Sequence, residues 1–386
     1  MYLNNNADNF LTLVRMGIGK DYSHSWEKNA RFSSSDWMAI QKLANEQGLT
    51  AVVLDGIDKS EELAATLPVA MKLDWIGQVL QNYEQRYDSY KNAHAEMAKF
   101  YSEHGYKMMV LKGYACSLDW PKPEHRPCGD IDIWQFGEQQ AADALLTKEK
   151  GIKIDSSHHH HTVFEWNGFS VENHYDFINV HHHKSNVEFE AILKELGNLK
   201  VESSEFRAES QLKECSDAGC KIPTVEVNGE KVYIPSPNLH ALFLMKHITM
   251  HFAAEGITLR QLLDWAFFVE KHGYEVDWEY VDGVLEQFGM KNMFNIINAI
   301  CVGDFGFPVK MFPAVQFDPN LKEKVMAEIL SPEYSVELPK GLFRRIVFKL
   351  RRWKANAWKH ELCYKESMWS AFWSGVWNHL LKPSSI

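Results

Sequence analysis

The sequence has no Cys-x-x-Cys pair. Its six cysteines stand apart at positions 116, 128, 215, 220, 301 and 363. The closest two, Cys215 and Cys220, have no second pair to complete a zinc site, and the pattern reads as reduced thiols in a cytoplasmic protein. No stretch approaches the roughly 18 uninterrupted apolar residues of a membrane span. The opening MYLNNNADNFLTLVRMG lacks a basic start, a long apolar run and a small-residue cleavage site, so no export signal is expected. Nor is positive charge in excess: 41 Lys and Arg stand against 51 Asp and Glu, a net charge of −10. That balance argues against coating nucleic acid over the whole surface and leaves room for a local basic patch. No internal repeat is visible, and the only low-complexity feature is histidine.

What is present suits a soluble globular chain. The 386 residues are 45% hydrophobic and 13% aromatic, enough for two or three domains with real cores. Residues 1–104 read as helical. Serine caps in SSSDWMAIQKLANEQGL precede apolar residues at helical spacing, and Gly48 follows as a stop. Pro68 opens a second long helical segment that runs to Gly105.

The pattern then changes. YKMMVLKG (106–113) and CGDIDIW (128–134) read as strands, with a helical turn and a proline-rich loop between them. Residues 137–151 read as a helix closed by Gly151. Two hairpins follow, turning at Asn167-Gly168 and Asn228-Gly229, because both residues of such a turn need positive φ. The segment 105–235 is thus a mixed unit with a largely antiparallel sheet. Ser236-Pro237 caps a return to helix over 236–386, with helices expected at 237–254, 258–272, 277–289 and 291–302 and a last helical region from Gly341. The fold class is α+β in three parts: 1–104, 105–235 and 236–386.

Chemistry concentrates in the middle part. Asp130 and Asp132 sit at i and i+2 of a strand and so share a face, while Ile131 and Ile133 point the other way. Two carboxylates side by side repel unless a cation lies between them. Gly129 before them allows close approach of backbone or phosphate. Upstream, a strand ends in Lys112-Gly113 and a helical turn follows, which aims an ammonium and backbone N–H groups at one spot.

The stretch VLKGYACSLDWPKPEHRPCGDIDIW resembles the motif of the bacterial family of uncharacterised nucleotidyltransferases, within the polymerase-β-like superfamily. The likeness continues through FSVENHYDF, HITMHFAAEGITLRQLLDWAFFVEKHG and DWEYV. It implies a nucleotidyltransferase-type mixed sheet flanked by helices. It also implies an aspartate pair, Asp130 and Asp132, and a third acid on a later strand, all three catalytic and holding Mg²⁺, with two ions in the superfamily. Glu172 best matches that third acid, with Asp176 as fallback. The nucleotide would meet Lys112, Gly113, Arg126, Gly129 and His174. Helices from the C-terminal part would close over it and use Lys246, His247 and Arg260 on phosphate or base. Tyr114 follows Gly113 where many polymerase-β-like enzymes carry serine or glycine, and Lys112 is expected to take part of that role. The implied reaction moves a nucleoside monophosphate from an NTP, with ATP the expected donor, to a hydroxyl acceptor and releases pyrophosphate. The acceptor is left open among tRNA, a protein, a small molecule and a glycan precursor. One rival is a degenerate member that binds nucleotide or a partner without chemistry. Another is a histidine-based zinc hydrolase.

Eight of the eighteen histidines lie between residues 158 and 183. A two-residue turn at Asn167-Gly168 sets Trp166 opposite Phe169, Val163 opposite Glu172, His161 opposite His174 and His159 opposite Asp176. Cross-strand partners share a face. His159 and His161 are therefore expected beside the carboxylates, with His158, His160 and Thr162 on the opposite side and His181–His183 at the surface. Further on, His247 and His251 share a helix face at i, i+4, a spacing that suits zinc but lacks the Glu of His-Glu-x-x-His. Arg260 and Asp264 have the same spacing and read as an intrahelical ion pair. Residues 340–360 carry eight Lys and Arg and no acid. They form an amphipathic basic helix, a candidate contact for an anionic polymer.

Overall fold

The computed structural model describes residues 5–20, 32–181, 183–197, 222–313, 316–334 and 340–370. Cys215, Cys220, His182, residues 371–386 and the side chains of Leu342 and Ile346 lie outside the described residues. The first five helices are α1 (Asn5–Gly17), α2 (Ser34–Glu46), α3 (Thr50–Asp58), α4 (Glu61–Ala64) and α5 (Val69–Val79). One π-helical turn, Leu80–Glu84, joins α5 to α6 (Gln85–Glu103), so the long segment after Pro68 is continuous helix. There follow β1 (Met109–Val110), α7 (Tyr114–Ser117), β2 (Ile131–Trp134), α8 (Gln139–Lys150), β3 (His161–Trp166), β4 (Phe169–His174) and α9 (Ser185–Gly197). After β5 (Thr224–Val227) and β6 (Glu230–Tyr233) the chain is helical: α10 (Pro237–Ala254), α11 (Leu259–His272), α12 (Trp278–Gln287), α13 (Lys291–Gly303), α14 (Pro319–Leu330), α15 (Leu342–Ala355) and α16 (Ala357–Cys363). Among the described residues no helix is long and apolar enough to cross a membrane.

Internal contacts divide the chain into two compact units. Among the described residues, the first comprises those of Met1–Tyr90, Cys116–Cys128 and Leu244–Ser370, and the second those of Lys91–Ala115 and Gly129–Phe243. In the helical unit, α2 starts at a capping box: Ser33 Oγ accepts the Asp36 N–H, and Asp36 Oδ2 accepts the Ser33 N–H at 2.9 Å. Gly48 ends that stretch with φ of 67°. Helices α1 and α3 touch backbone to backbone through two glycines. A Cβ at Gly17 would lie 2.0 Å from the Val52 carbonyl oxygen, and one at Gly56 would lie 2.1 Å from that of Leu13. Only hydrogen fits at either position.

The second unit holds a six-stranded sheet in the order β3-β4-β2-β1-β6-β5. The pairs β3–β4, β1–β2 and β5–β6 are antiparallel, whereas β2–β4 and β1–β6 are parallel. The largely antiparallel sheet expected from two hairpins is thus a mixed one. A parallel pair needs a crossover, and α8 lies in sequence between β2 and the hairpin that contains β4. All four residues of β2 are buried, as suits a strand covered on both faces. Trp134 at its end stacks on Phe177 with ring centroids 4.4 Å apart.

The first hairpin has the expected turn and register. Asn167 and Gly168 both take positive φ, and Trp166 faces Phe169, Val163 faces Glu172, and His161 faces His174. One sheet face carries Ser170, Glu172 and His174. On the other, Thr162 and Asn173 are tied down by the buried Asp143 of α8, which accepts from Thr162 Oγ1 at 2.7 Å and from Asn173 Nδ2 at 2.8 Å. Burial pushes the Asp143 carboxyl up while these hydrogen bonds favour its charged form. The network fixes β3 and β4 from behind the carboxylate face.

Register stops sooner than expected. Beyond His161 the carbonyl of His160 accepts two amides, those of Tyr175 and Asp176, both at 3.1 Å. Two donors on one acceptor end the ladder, so His159 does not pair with Asp176. The bend turns His160 toward the carboxylate side, where its ring lies 4.2 Å from His161 and 5.5 Å from His174, centroid to centroid. His159 instead faces His181, 5.0 Å away. His160, rather than the expected His159, therefore joins His161 and His174.

Candidate active site

The site assembles at the middle of the sheet. Leu111, just past β1, donates its N–H to the Asp132 carbonyl at 3.0 Å. Lys112 and Gly113 then leave the sheet, Gly113 with φ of 64°, and α7 begins. That left-handed residue is what turns the chain directly from strand into helix. Lys112 remains at the strand end with Nζ 3.0 Å from Asp132 Oδ1.

The parallel pairing of β2 with β4 sets Asp132 beside Glu172 and Trp134 beside His174. Partners in register project to the same face, so two carboxylates from different strands become neighbours. His174 Nε2 lies 3.2 Å from Asp132 Oδ1 and 3.5 Å from Glu172 Oε2. Its Nδ1 meets the Asp176 carbonyl at 3.1 Å. That contact fixes the ring with Nδ1 as donor and Nε2 facing the acids. His161 Nε2 stands 3.8 Å from Glu172 Oε1.

Electrostatics follow from this crowding. Burial pushes the Asp132 carboxyl up, but the Lys112 ammonium and His174 override it and hold it well below the usual carboxylate range. Glu172 is likewise lowered against its burial by the hydrogen bond from His174. For His174, burial opposes the charge, yet the two carboxylates raise it to about 9. Asp130 stands exposed at the edge of the cluster. Loss of water, then Glu172 and Asp132, push its carboxyl up. His160 is lowered to about 2 by burial and by its cationic neighbours, with His174 first among them. His161 is lowered to about 4 by burial, against the pull of Glu172.

The structure gathers Lys112, Gly113, Gly129, Asp130, Asp132, Glu172 and His174 in the sheet unit. A Cβ on Gly129 would meet nothing within 4 Å, so space at that position is open. The fallback acid Asp176 is taken by Lys194 in an ion pair. The remaining sequence candidates belong to the helical unit. Arg126 is buried and gives Asp264 two hydrogen bonds, Nε to Oδ1 at 2.8 Å and Nη2 to Oδ2 at 2.9 Å, while Trp120 Nε1 adds a third at 2.8 Å. Asp264 is thus held by Arg126 and Trp120, and the expected ion pair with Arg260 is not made within 4.0 Å. Arg260 is lowered by burial and then by the like charge of Arg126. Lys246 is buried, with Nζ 4.7 Å from the Tyr364 ring, and burial lowers it to about 8. His247 and His251 lie ring to ring at 4.2 Å, and among the described residues they join no third metal-capable side chain.

Two groups of metal-capable side chains do occur among the described residues. Asp132, Glu172 and His174 form one, and His160, His161 and His174 the other; within each, the donor atoms lie within 4.8 Å of one another. The first is a donor set that a divalent cation fits, since two carboxylates and a ring nitrogen converge on one point. Sequence reasoning missed His160 because nothing in the alternation of residues 158–161 signals the doubled acceptor that ends the ladder.

A mixed sheet flanked by helices, with paired acids on neighbouring central strands, is a fold of the nucleotidyltransferase type. The family model described as uncharacterised nucleotidyltransferase matches residues 33–302, and the chain belongs to that family. No curated protein and no solved structure matches it. Family membership points to nucleotidyl transfer as the general chemistry.

Proposed function

We propose that the protein transfers a nucleoside monophosphate from an NTP, with ATP as the donor, to a hydroxyl acceptor and releases pyrophosphate. The observation that carries this reading is the β2–β4 register, which sets Asp132 beside Glu172 with the Lys112 ammonium 3.0 Å from Asp132. Asp130, Asp132 and Glu172 would hold Mg²⁺, which when bound neutralises triphosphate charge and lowers the pKa of an attacking hydroxyl. Lys112 supplies a positive charge for phosphate oxygens at the end of β1. Open space at Gly129 admits the phosphates without a steric clash. His174 keeps the buried Asp132 and half-buried Glu172 carboxylates oriented toward each other. In the reaction the acceptor oxygen bonds to the α-phosphorus as the bond to the pyrophosphate oxygen breaks. The contribution of these residues is positioning and charge neutralisation.

In the helical unit, Lys246, His247 and Arg260 are further candidates for contact with phosphate or base, and Arg126 acts by holding Asp264. Helix α15 exposes Arg344, Arg345, Lys349, Arg351 and Lys354, a surface for an anionic polymer such as a tRNA acceptor. A protein hydroxyl, a small molecule and a glycan precursor are the other acceptors. We place the activity in the cytoplasm.

A second reading has one observation in its favour. Lys112 and His174 already neutralise Asp132, which is how a member that binds nucleotide without chemistry would stabilise its acids. The test is incubation with each α-labelled NTP, Mg²⁺ and host lysate. Transfer predicts a labelled product with the wild type and none with Asp132→Asn or Asp130→Asn. Equal labelling by Asp132→Asn refutes the assignment, and Mg²⁺-dependent NTP binding with no pyrophosphate release favours the second reading.

A further inference from the structure

The carboxylates account for Asp132 and Glu172 but not for the two rings beside them. His160 and His161 are consecutive residues at the end of β3, yet the bend at the His160 carbonyl brings both rings next to His174. His161 is buried and His160 half-buried, and the Nδ1 atom of each is shut off from solvent without a hydrogen-bond partner. Leaving one buried polar nitrogen unsatisfied is costly, and here two lie side by side. A fold does not ordinarily keep such a pair without a use for it. The third ring, His174, donates Nδ1–H to the Asp176 carbonyl, the outer contact that metal-binding histidines use to fix the other nitrogen. Glu172 Oε1, 3.8 Å from His161 Nε2, stands ready as a fourth donor.

We propose that His160, His161 and His174 form a binding site for a borderline transition-metal ion of the Zn²⁺ or Co²⁺ class, next to the carboxylate pair and sharing His174 with it. Three nitrogens and one carboxylate oxygen suit a tetrahedral Zn²⁺ or Co²⁺ and not Mg²⁺, which takes oxygen donors in octahedral array. The site shares His174 and Glu172 with the proposed transfer site, but its test is separate, because its presence is read from bound metal and not from labelled product.

The experiment uses the untagged full-length chain loaded with Zn²⁺ or with Co²⁺ and dialysed against Mg²⁺ buffer. Metal content is measured by plasma mass spectrometry, and the Co²⁺ form is read by its visible d–d absorption. One ion per chain with the intense bands of tetrahedral Co²⁺ is expected. His160→Ala, and separately the milder His161→Gln, should each weaken binding about 100-fold or more, since even outer contacts of such sites cost about 10–100-fold. A thermal melt identifies any variant that has unfolded, and the other variant then decides. His158→Ala should keep the ion, because His158 belongs to neither metal-capable group. Loss of metal in His158→Ala equal to that in His160→Ala would mean loose chelation by the histidine run and would overturn the proposal. So would the absence of stoichiometric metal, or its displacement by millimolar Mg²⁺.

Discussion

Asp130 and Asp132 are two residues apart and have the same proposed role, yet the structure gives their removal opposite effects on stability. Asp132 is 2% exposed and lies between Lys112 at 3.0 Å and His174 at 3.2 Å. Removing one partner of a buried ion pair costs about 3–5 kcal/mol, because the other charge stays buried. Lys112 keeps 26% of its side-chain surface exposed and relaxes into water, so the lower end applies: Asp132→Asn should lose about 3 kcal/mol. Asp130 is exposed and repelled by Glu172 and Asp132. Asp130→Asn should fall within about 0.5 kcal/mol of wild type, on the stabilising side. The sign with pH follows. The Asp132 carboxyl is depressed in the folded state, so its contribution is present above the unfolded pKa of about 3.9 and is lost as pH falls below it. The assay is urea denaturation of the metal-free protein at pH 7 and at about pH 3, below the unfolded value, followed by circular dichroism. Equal stability of Asp132→Asn and wild type at pH 7, or equal losses in both variants, would refute the charge arrangement described for the site.

Three further outcomes are expected. Asp264→Asn should cost about 3–5 kcal/mol in the same denaturation assay, since it strands the buried Arg126; the double variant Arg126→Met, Asp264→Leu should recover most of it. His272 is raised to about 9 by its hydrogen bond to Asp119, with Glu275 adding to it. Its contribution is therefore complete below about pH 6.5 and lost as pH rises through 9, on the order of 1 kcal/mol after screening of a side chain that is 37% exposed; His272→Asn should flatten the stability profile over that window. Gly56→Ala should cost about 2–3 kcal/mol by forcing α3 off α1, while Gly77→Ala in α5, where a Cβ meets nothing within 4 Å, should gain about 0.5–1 kcal/mol.

Local rules carried the reading of the sequence where local physics decides the structure. The Asn-Gly turn fixed the pairing of His161 with His174 because a two-residue loop leaves one register open. Pro237 and Gly151 marked helix ends for equally local reasons. The parallel β2–β4 pair was not legible, since nothing in either strand names a partner some forty residues away along the chain. Asp264 shows the same limit. Spacing along α11 suggested Arg260, but Arg126 reaches the carboxylate from a distant loop, with a planar fork that fits both oxygens. His160 was misplaced because alternation holds only while the ladder holds, and the ladder ends one residue before it.

The hairpin turn also has a chemical lifetime. At an Asn-Gly bond the glycine amide nitrogen can attack the asparagine side-chain carbonyl, since no side chain on the glycine obstructs it. Ring closure followed by opening leaves aspartate or isoaspartate, and isoaspartate routes the main chain through an added methylene. At Asn167 the side-chain amide is held to Glu96 Oε2 at 2.6 Å, which restrains the carbonyl from swinging toward Gly168. Glu96, an exposed residue of α6, therefore protects the length of backbone that sets Glu172 beside Asp132. Loss of that one contact makes the geometry of the acids a quantity that drifts with the age of the molecule.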